Sequence, residues 1–256
     1  MNRLQRWQHQ LKLDARAIET AYRALLGGSE APEALHTLRV ALRSLRARLT
    51  PFADHPDIAH IRAGLGALAH DTNALRDDEV MRALLATLPG SGPLLATLAP
   101  DTDNAKLATV LALHGPAIDA LPLRVMTAAA QFDAAYLESA SRTTTRRARR
   151  KLQLGLSALT PSTPAHDWHA ARLLVKKARY LHDGQTLWLA PRWQGFGKQC
   201  KPAQEALGHL HDLDVLHDRY GHQFSPALDA AWQLARRNGL IAADAAVWTL
   251  DRALNG

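Results

Sequence analysis

An all-α fold is predicted by three observations. Ala and Leu dominate the apolar residues while aromatics make up only 5% of the chain, a balance that favours helix packing over β-sandwich packing. Gly and Pro breaks fall at helix-length intervals. No period-two apolar run bounded by hairpin turns is present.

The elements follow in order. A first amphipathic helix runs from near Leu4 to Leu26 and stops at Gly27-Gly28, a C-terminal signal. Pro32 sits in the first turn of a second helix that ends at Thr50-Pro51. Pro56 opens a long helical stretch reaching about Leu88, where Pro89-Gly90-Ser91-Gly92-Pro93 breaks the chain. Looser helix is expected near Asn104 to Leu113 and again from Leu123. The plan then repeats. A helix near Thr145 to Leu159 matches the first under a shift of 133 positions, and Thr160-Pro161-Ser162-Thr163-Pro164 leads into its successor. Pro191 to Gly197 precedes a helix ending near Tyr220, and Ser225-Pro226 is an N-cap and first-turn pair for the last. Two similar bundles are expected, as repeat halves 1–133 and 134–256.

The repeat carries chemistry. The second helix contains His36, Arg39, Arg43 and Arg46, and the same spacing recurs 133 positions later as His169, Arg172, Lys176 and Arg179. At about 100° per residue these offsets share one stripe about 80° wide. Cationic groups in one line repel each other unless an anion lies along them. The bland alternative is a solvated face. Against it, Leu35, Leu38, Leu42, Leu45 and Leu49 form the apolar arc directly beside the first basic stripe, and Trp168, Ala171, Val175 and Ala178 do so beside the second. Stripes placed this way edge sheltered grooves.

Each half also carries an acidic element downstream, Asp77-Asp78-Glu79-Val80 in one and Asp212-Leu213-Asp214-Val215 in the other. Carboxylates beside an arginine row can fix guanidinium rotamers while leaving other N–H donors free, so Asp77, Asp212 and Asp214 are candidate supporting groups. A plain interhelical salt bridge is the competing role for them.

Bulk properties narrow the partner. Lys plus Arg outnumber Asp plus Glu by 31 to 24, giving +7 with neutral histidines and a pI near 9.9. That balance suits polyanions: nucleic acid, polyphosphate or an anionic membrane surface. The single Cys200 excludes an internal disulfide. MNRLQRWQHQ lacks the apolar run of a secretory signal, and no stretch reaches the roughly eighteen apolar residues of a membrane span, so a soluble cytoplasmic protein is expected.

These residues resemble the CHAD domain, a helical family named for its conserved histidines. Its pattern is a His-x2-Arg-hydrophobic-x2-basic helix followed by an Asp-x-Asp-Val-like helix, with the unit given twice. His36 through Arg46 is similar to the first element, and His169 through Arg172 with Lys176-Lys177-Ala178-Arg179-Tyr180 to its second copy. Asp212-Leu213-Asp214-Val215 looks like the downstream element in its usual form. The likeness spans nearly the whole chain, as a single CHAD-type unit. It implies two pseudo-symmetric four-helix bundles that bind inorganic polyphosphate without a cofactor, metal or catalytic residue. It points to His36, Arg39, Arg43 and Arg46 in one half, and to His169, Arg172, Lys176, Lys177 and Arg179 in the other. Two departures stand out: Ser44 where a second adjacent basic residue is common, and Glu79 for the second aspartate. The first half is therefore expected to hold phosphate less tightly. Association with polyphosphate granules would follow from binding.

Three other features bear on function. Arg142, Arg146, Arg147, Arg149, Arg150 and Lys151 form a basic run; Arg149 aligns with Arg16 under the 133-residue shift, so this pair could extend a phosphate track or contact nucleic acid. Five His-Asp dipeptides, at His70, His166, His182, His211 and His217, raise a metal-dependent phosphohydrolase as the alternative. They are spread over different helices, and adjacent helical residues point about 100° apart. A nucleic-acid binder would want stacking aromatics along the ladders, whereas Trp168 and Tyr180 read as core residues.

Overall fold

The computed structural model describes residues 1–28, 31–98 and 104–255, without the side chains of 31–32, 74–79 and 104–106. Within it the chain is all-α, with eleven α-helices and no strand among the described residues.

Helix α1 (Arg3–Leu26) opens with a capping box between Asn2 and Gln5 and ends at Gly27. Helix α2 (Ala31–Leu49) carries the first ladder. Beyond it the long stretch expected from Pro56 is two helices, α3 (Pro56–Asp71) and α4 (Asn73–Ala86). The break falls at Thr72, fully buried, whose hydroxyl donates to the Leu68 carbonyl at 2.9 Å. Helices α5 (Gly92–Thr97), α6 (Asn104–Asp119) and α7 (Leu121–Ala129) follow.

Helix α8 (Ala134–Leu156) begins well before the expected Thr145. Its buried face includes Ser141 and Thr145, which bond to Gln185 Oε1 at 2.8 Å and to the Ser141 carbonyl at 2.8 Å. The basic run from Arg142 to Lys151 is therefore helical throughout. Helix α9 (Ala165–Gln185) bears the second ladder, and α10 (Phe196–Tyr220) and α11 (Pro226–Asn255) complete the chain. The Leu228 amide donates to the Ser225 hydroxyl at 3.2 Å, the expected cap of α11. Gly90, at φ +82°, lets the chain approach that cap closely; a Cβ there would stand 3.3 Å from the Leu228 nitrogen.

The helices group into two units. One comprises residues 1–76, 102–146 and 180–195; the other comprises 77–101, 147–179 and 196–256. The sequence repeat divides the chain after residue 133, whereas each unit draws on segments from both repeats, because α4, α8 and α9 each pass from one unit into the other. The first unit is built on Trp7, Leu11, Ile18, Leu38, Leu42, Leu45, Phe52, Leu68 and Val125. The Trp7 ring meets Phe52 edge-on at 5.5 Å. In the second unit Met81, Leu85, Leu88 and Leu94 pack with Leu216 and Leu228. No described helix is long and apolar enough to cross a membrane.

Candidate functional site

The apolar arc of α2 is buried as its spacing requires: Leu35, Leu38, Leu42, Leu45 and Leu49 all lie in the core. That burial sets the outlook of the first ladder. Arg39, Arg43 and Arg46 are half-buried, and His36 is exposed. The rungs differ in surroundings. Arg39 is tied to the α3–α4 corner, donating to Asn73 Oδ1 at 2.9 Å, to Thr72 Oγ1 at 3.4 Å and to the Ala69 carbonyl at 3.5 Å. The Arg43 guanidinium lies 5.5 Å from the centre of the Tyr180 ring. Among the described residues the buried Nε atoms of Arg43 and Arg46 have no hydrogen-bond partner.

Arg46 has a cationic neighbour that the sequence reading missed. Arg62, on α3, donates from Nη2 to Thr50 Oγ1 at 3.3 Å and from Nε toward the Arg46 carbonyl at 3.5 Å. Burial, and then the charge of Arg46, hold the Arg62 guanidinium below its ordinary pKa. The Arg46 guanidinium also lies over Gly66, where a Cβ would stand 3.3 Å from Nη2. Among the described residues none of Arg43, Arg46 and Arg62 is ion-paired. Repetition could not reveal Arg62, because 133 positions on stands Gly195. Its signal was a basic residue in the first turns of the helix that follows the ladder.

In the second unit Trp168, Ala171, Val175 and Ala178 are buried, again as the spacing requires. His169, Arg172, Lys176 and Arg179 are half-buried, and Lys177 is exposed. His169 Nδ1 meets His211 Nδ1, from α10, at 3.0 Å, so one ring donates and the other accepts. Burial first, then Arg172, His169 and Lys176, lower the His211 pKa to about 4. His211 is therefore neutral near pH 7 and belongs to the ladder, a role its position beside Asp212 did not announce.

The supporting carboxylates divide. Asp77 lies outside the described side chains. Asp212 is half-buried on α10. Asp214 accepts from Arg236 Nε at 2.6 Å, so it joins α10 to α11 and supports no ladder rung among the described residues. Arg16 is exposed on α1 and Arg149 half-buried on α8. Arg48, also on α2, is sheltered, donating to Asp14 at 2.7 Å and to the Gly184 carbonyl at 2.8 Å. Of the His-Asp dipeptides, Asp71 accepts instead from His114 at 2.8 Å. No three described His, Cys, Asp or Glu side chains converge as metal ligands.

Each unit thus gathers cations in partial shelter, where an anion of several charges would relieve their repulsion. Two solved structures share the fold. The crystal structure of the CHAD domain from the plant Ricinus communis superposes with a TM-score of 0.70 at 21% identity, covering 99% of this chain and 91% of its own. PptA from Streptomyces chartreusis superposes with a TM-score of 0.54 at 19% identity, covering 98% of both chains. No curated protein matches the sequence. The family model of the CHAD domain matches residues 9–221, and the chain belongs to that family.

Proposed function

We propose that this protein binds inorganic polyphosphate without turning it over, each repeat half supplying one ladder. The observation that carries this reading is the grouping of Arg43, Arg46 and Arg62, half-buried and without a carboxylate partner among the described residues. Sheltered cations cost stability unless an anion completes them. A flexible chain with repeated charges can follow such a row, and its counterions are released on binding. The ligand has no bases, so the ladders need no stacking platform, in keeping with the burial of Trp168. Arg and Lys rungs neutralise successive phosphoryl oxygens, with His36 and His169 adding hydrogen bonds. Cytoplasmic residence and association with polyphosphate granules are parts of the same proposal.

The test is calorimetric titration with long-chain polyphosphate at near-physiological salt, with duplex DNA and tripolyphosphate alongside. A variant that joins Arg43→Gln, Arg46→Gln and Arg62→Gln with Arg172→Gln and Arg179→Gln, shown to be folded, should lose affinity by at least about a hundredfold, at about 1 kcal/mol per charge-assisted contact. Equal affinity for DNA, or an unaffected variant, rejects the reading. Polymer shortening on adding Mg²⁺ or Mn²⁺ makes the protein a phosphohydrolase instead.

A further inference from the structure

Helix α11 presents an apolar stripe on the wrong side. Leu228, Gly239, Ala243, Val247 and Leu250 are buried, and the helix is fixed in rotation by the Trp232 indole, which donates to the Leu213 carbonyl at 2.8 Å, and by the Arg236–Asp214 pair at 2.6 Å. The opposite side ought to be polar. It carries Leu234, Ile241 and Trp248, exposed to 57%, 64% and 60%. Successive members are seven residues apart, so they stay within about 20° of one line and span about 21 Å. Arg252 lies over the Trp248 ring at 4.7 Å and steadies it.

The flanks indicate what covers this stripe. Arg237 and Asp244 lie on one side of it, about 40° and 60° from Ile241. The other side offers Asn238 and Ala245, small enough for close helix approach. We infer that α11 pairs antiparallel with α11 of a second copy of this chain, about a two-fold axis at Ile241. In that register Ile241 meets the partner's Ile241 and Leu234 meets the partner's Trp248. A two-fold interface brings like flanks together, and Arg237 then lies beside the partner's Asp244, with the same pair formed again across the axis. Parallel pairing would instead set the Arg237/Asp244 flank of one copy against the Asn238/Ala245 flank of the other and form neither ion pair. Asp244 and Asp251 on the flank also oppose adsorption to an anionic lipid surface.

The experiment is sedimentation equilibrium of the chain across the micromolar range, beside the same measurement on variants whose helicity is checked by circular dichroism. The wild type should show twice the chain mass, and Ile241→Glu should be monomeric with unchanged helicity. Arg237→Glu and Asp244→Arg should each weaken association about tenfold, and the double exchange should restore it. The double exchange keeps the test decisive if Asp244→Arg alone perturbs folding. A monomeric wild type overturns the inference. So does a dimer that survives Ile241→Glu, or a double exchange without rescue, or stripe-dependent binding to phosphatidylglycerol vesicles by a monomer.

Discussion

His211 is held neutral by its neighbours, and that gives the second ladder a pH dependence of definite sign. Its folded pKa is about 4, lowered by burial and then by Arg172, His169 and Lys176, against about 6.5 for an unfolded histidine. Between these values the unfolded chain binds the extra proton and the folded chain does not. The stability contribution is complete above pH 6.5 and is lost as pH falls toward 4. Allowing for solvent screening, the loss is about 1–2 kcal/mol. Urea denaturation at pH 7 and pH 4.5 should show it, and His211→Gln should be less sensitive to that change by this amount. Equal sensitivity in the two proteins would mean that His211 is not the responsible group.

At the scale of elements, the rungs of the first ladder differ in how far they hold the fold together. Arg39 closes the corner where α3 ends, satisfying the Ala69 carbonyl, Thr72 and Asn73. Among the described residues Arg43 meets the Tyr180 ring, and its Nε has no hydrogen-bond partner. Arg39→Ala should therefore cost about 1–2 kcal/mol of ligand-free stability, and Arg43→Ala less than half of that, as read from urea midpoints. Reversed costs would make Arg43 the structural rung. The same corner shows what the sequence could carry. Helix ends marked by Gly27, Pro51, Pro164 and the Ser225-Pro226 pair were legible, because backbone chemistry announces them. The break at Thr72 was not, because a buried hydroxyl makes it with no Gly or Pro. The early start of α8 was hidden for a related reason: Ser141 and Thr145 occupy buried positions where apolar periodicity looks for Leu. Both ladders could be read because repetition flags them. Arg62 and His211 join them through tertiary packing, and the ladder pattern, which runs along one helix in each half, gave no hint of either.

For the whole molecule, the repeat foretold two ladders but not the grouping of segments: it divides the chain after residue 133, whereas α4, α8 and α9 each pass from one compact unit into the other. On the proposed function and pairing, two ladders per chain and two chains joined through α11 would make a multivalent binder of a repetitive polymer. Once one site is engaged, a long chain reaches the next at a high local concentration, while a short one must bind each site anew. Breaking the dimer should therefore weaken binding of long polyphosphate by tenfold or more, and leave tripolyphosphate unchanged. Ile241→Glu and wild type compared by calorimetry on both ligands tests this. Equal losses for both ligands would place the α11 stripe in the anion site itself. No loss for either would mean that a single polymer does not span the two copies.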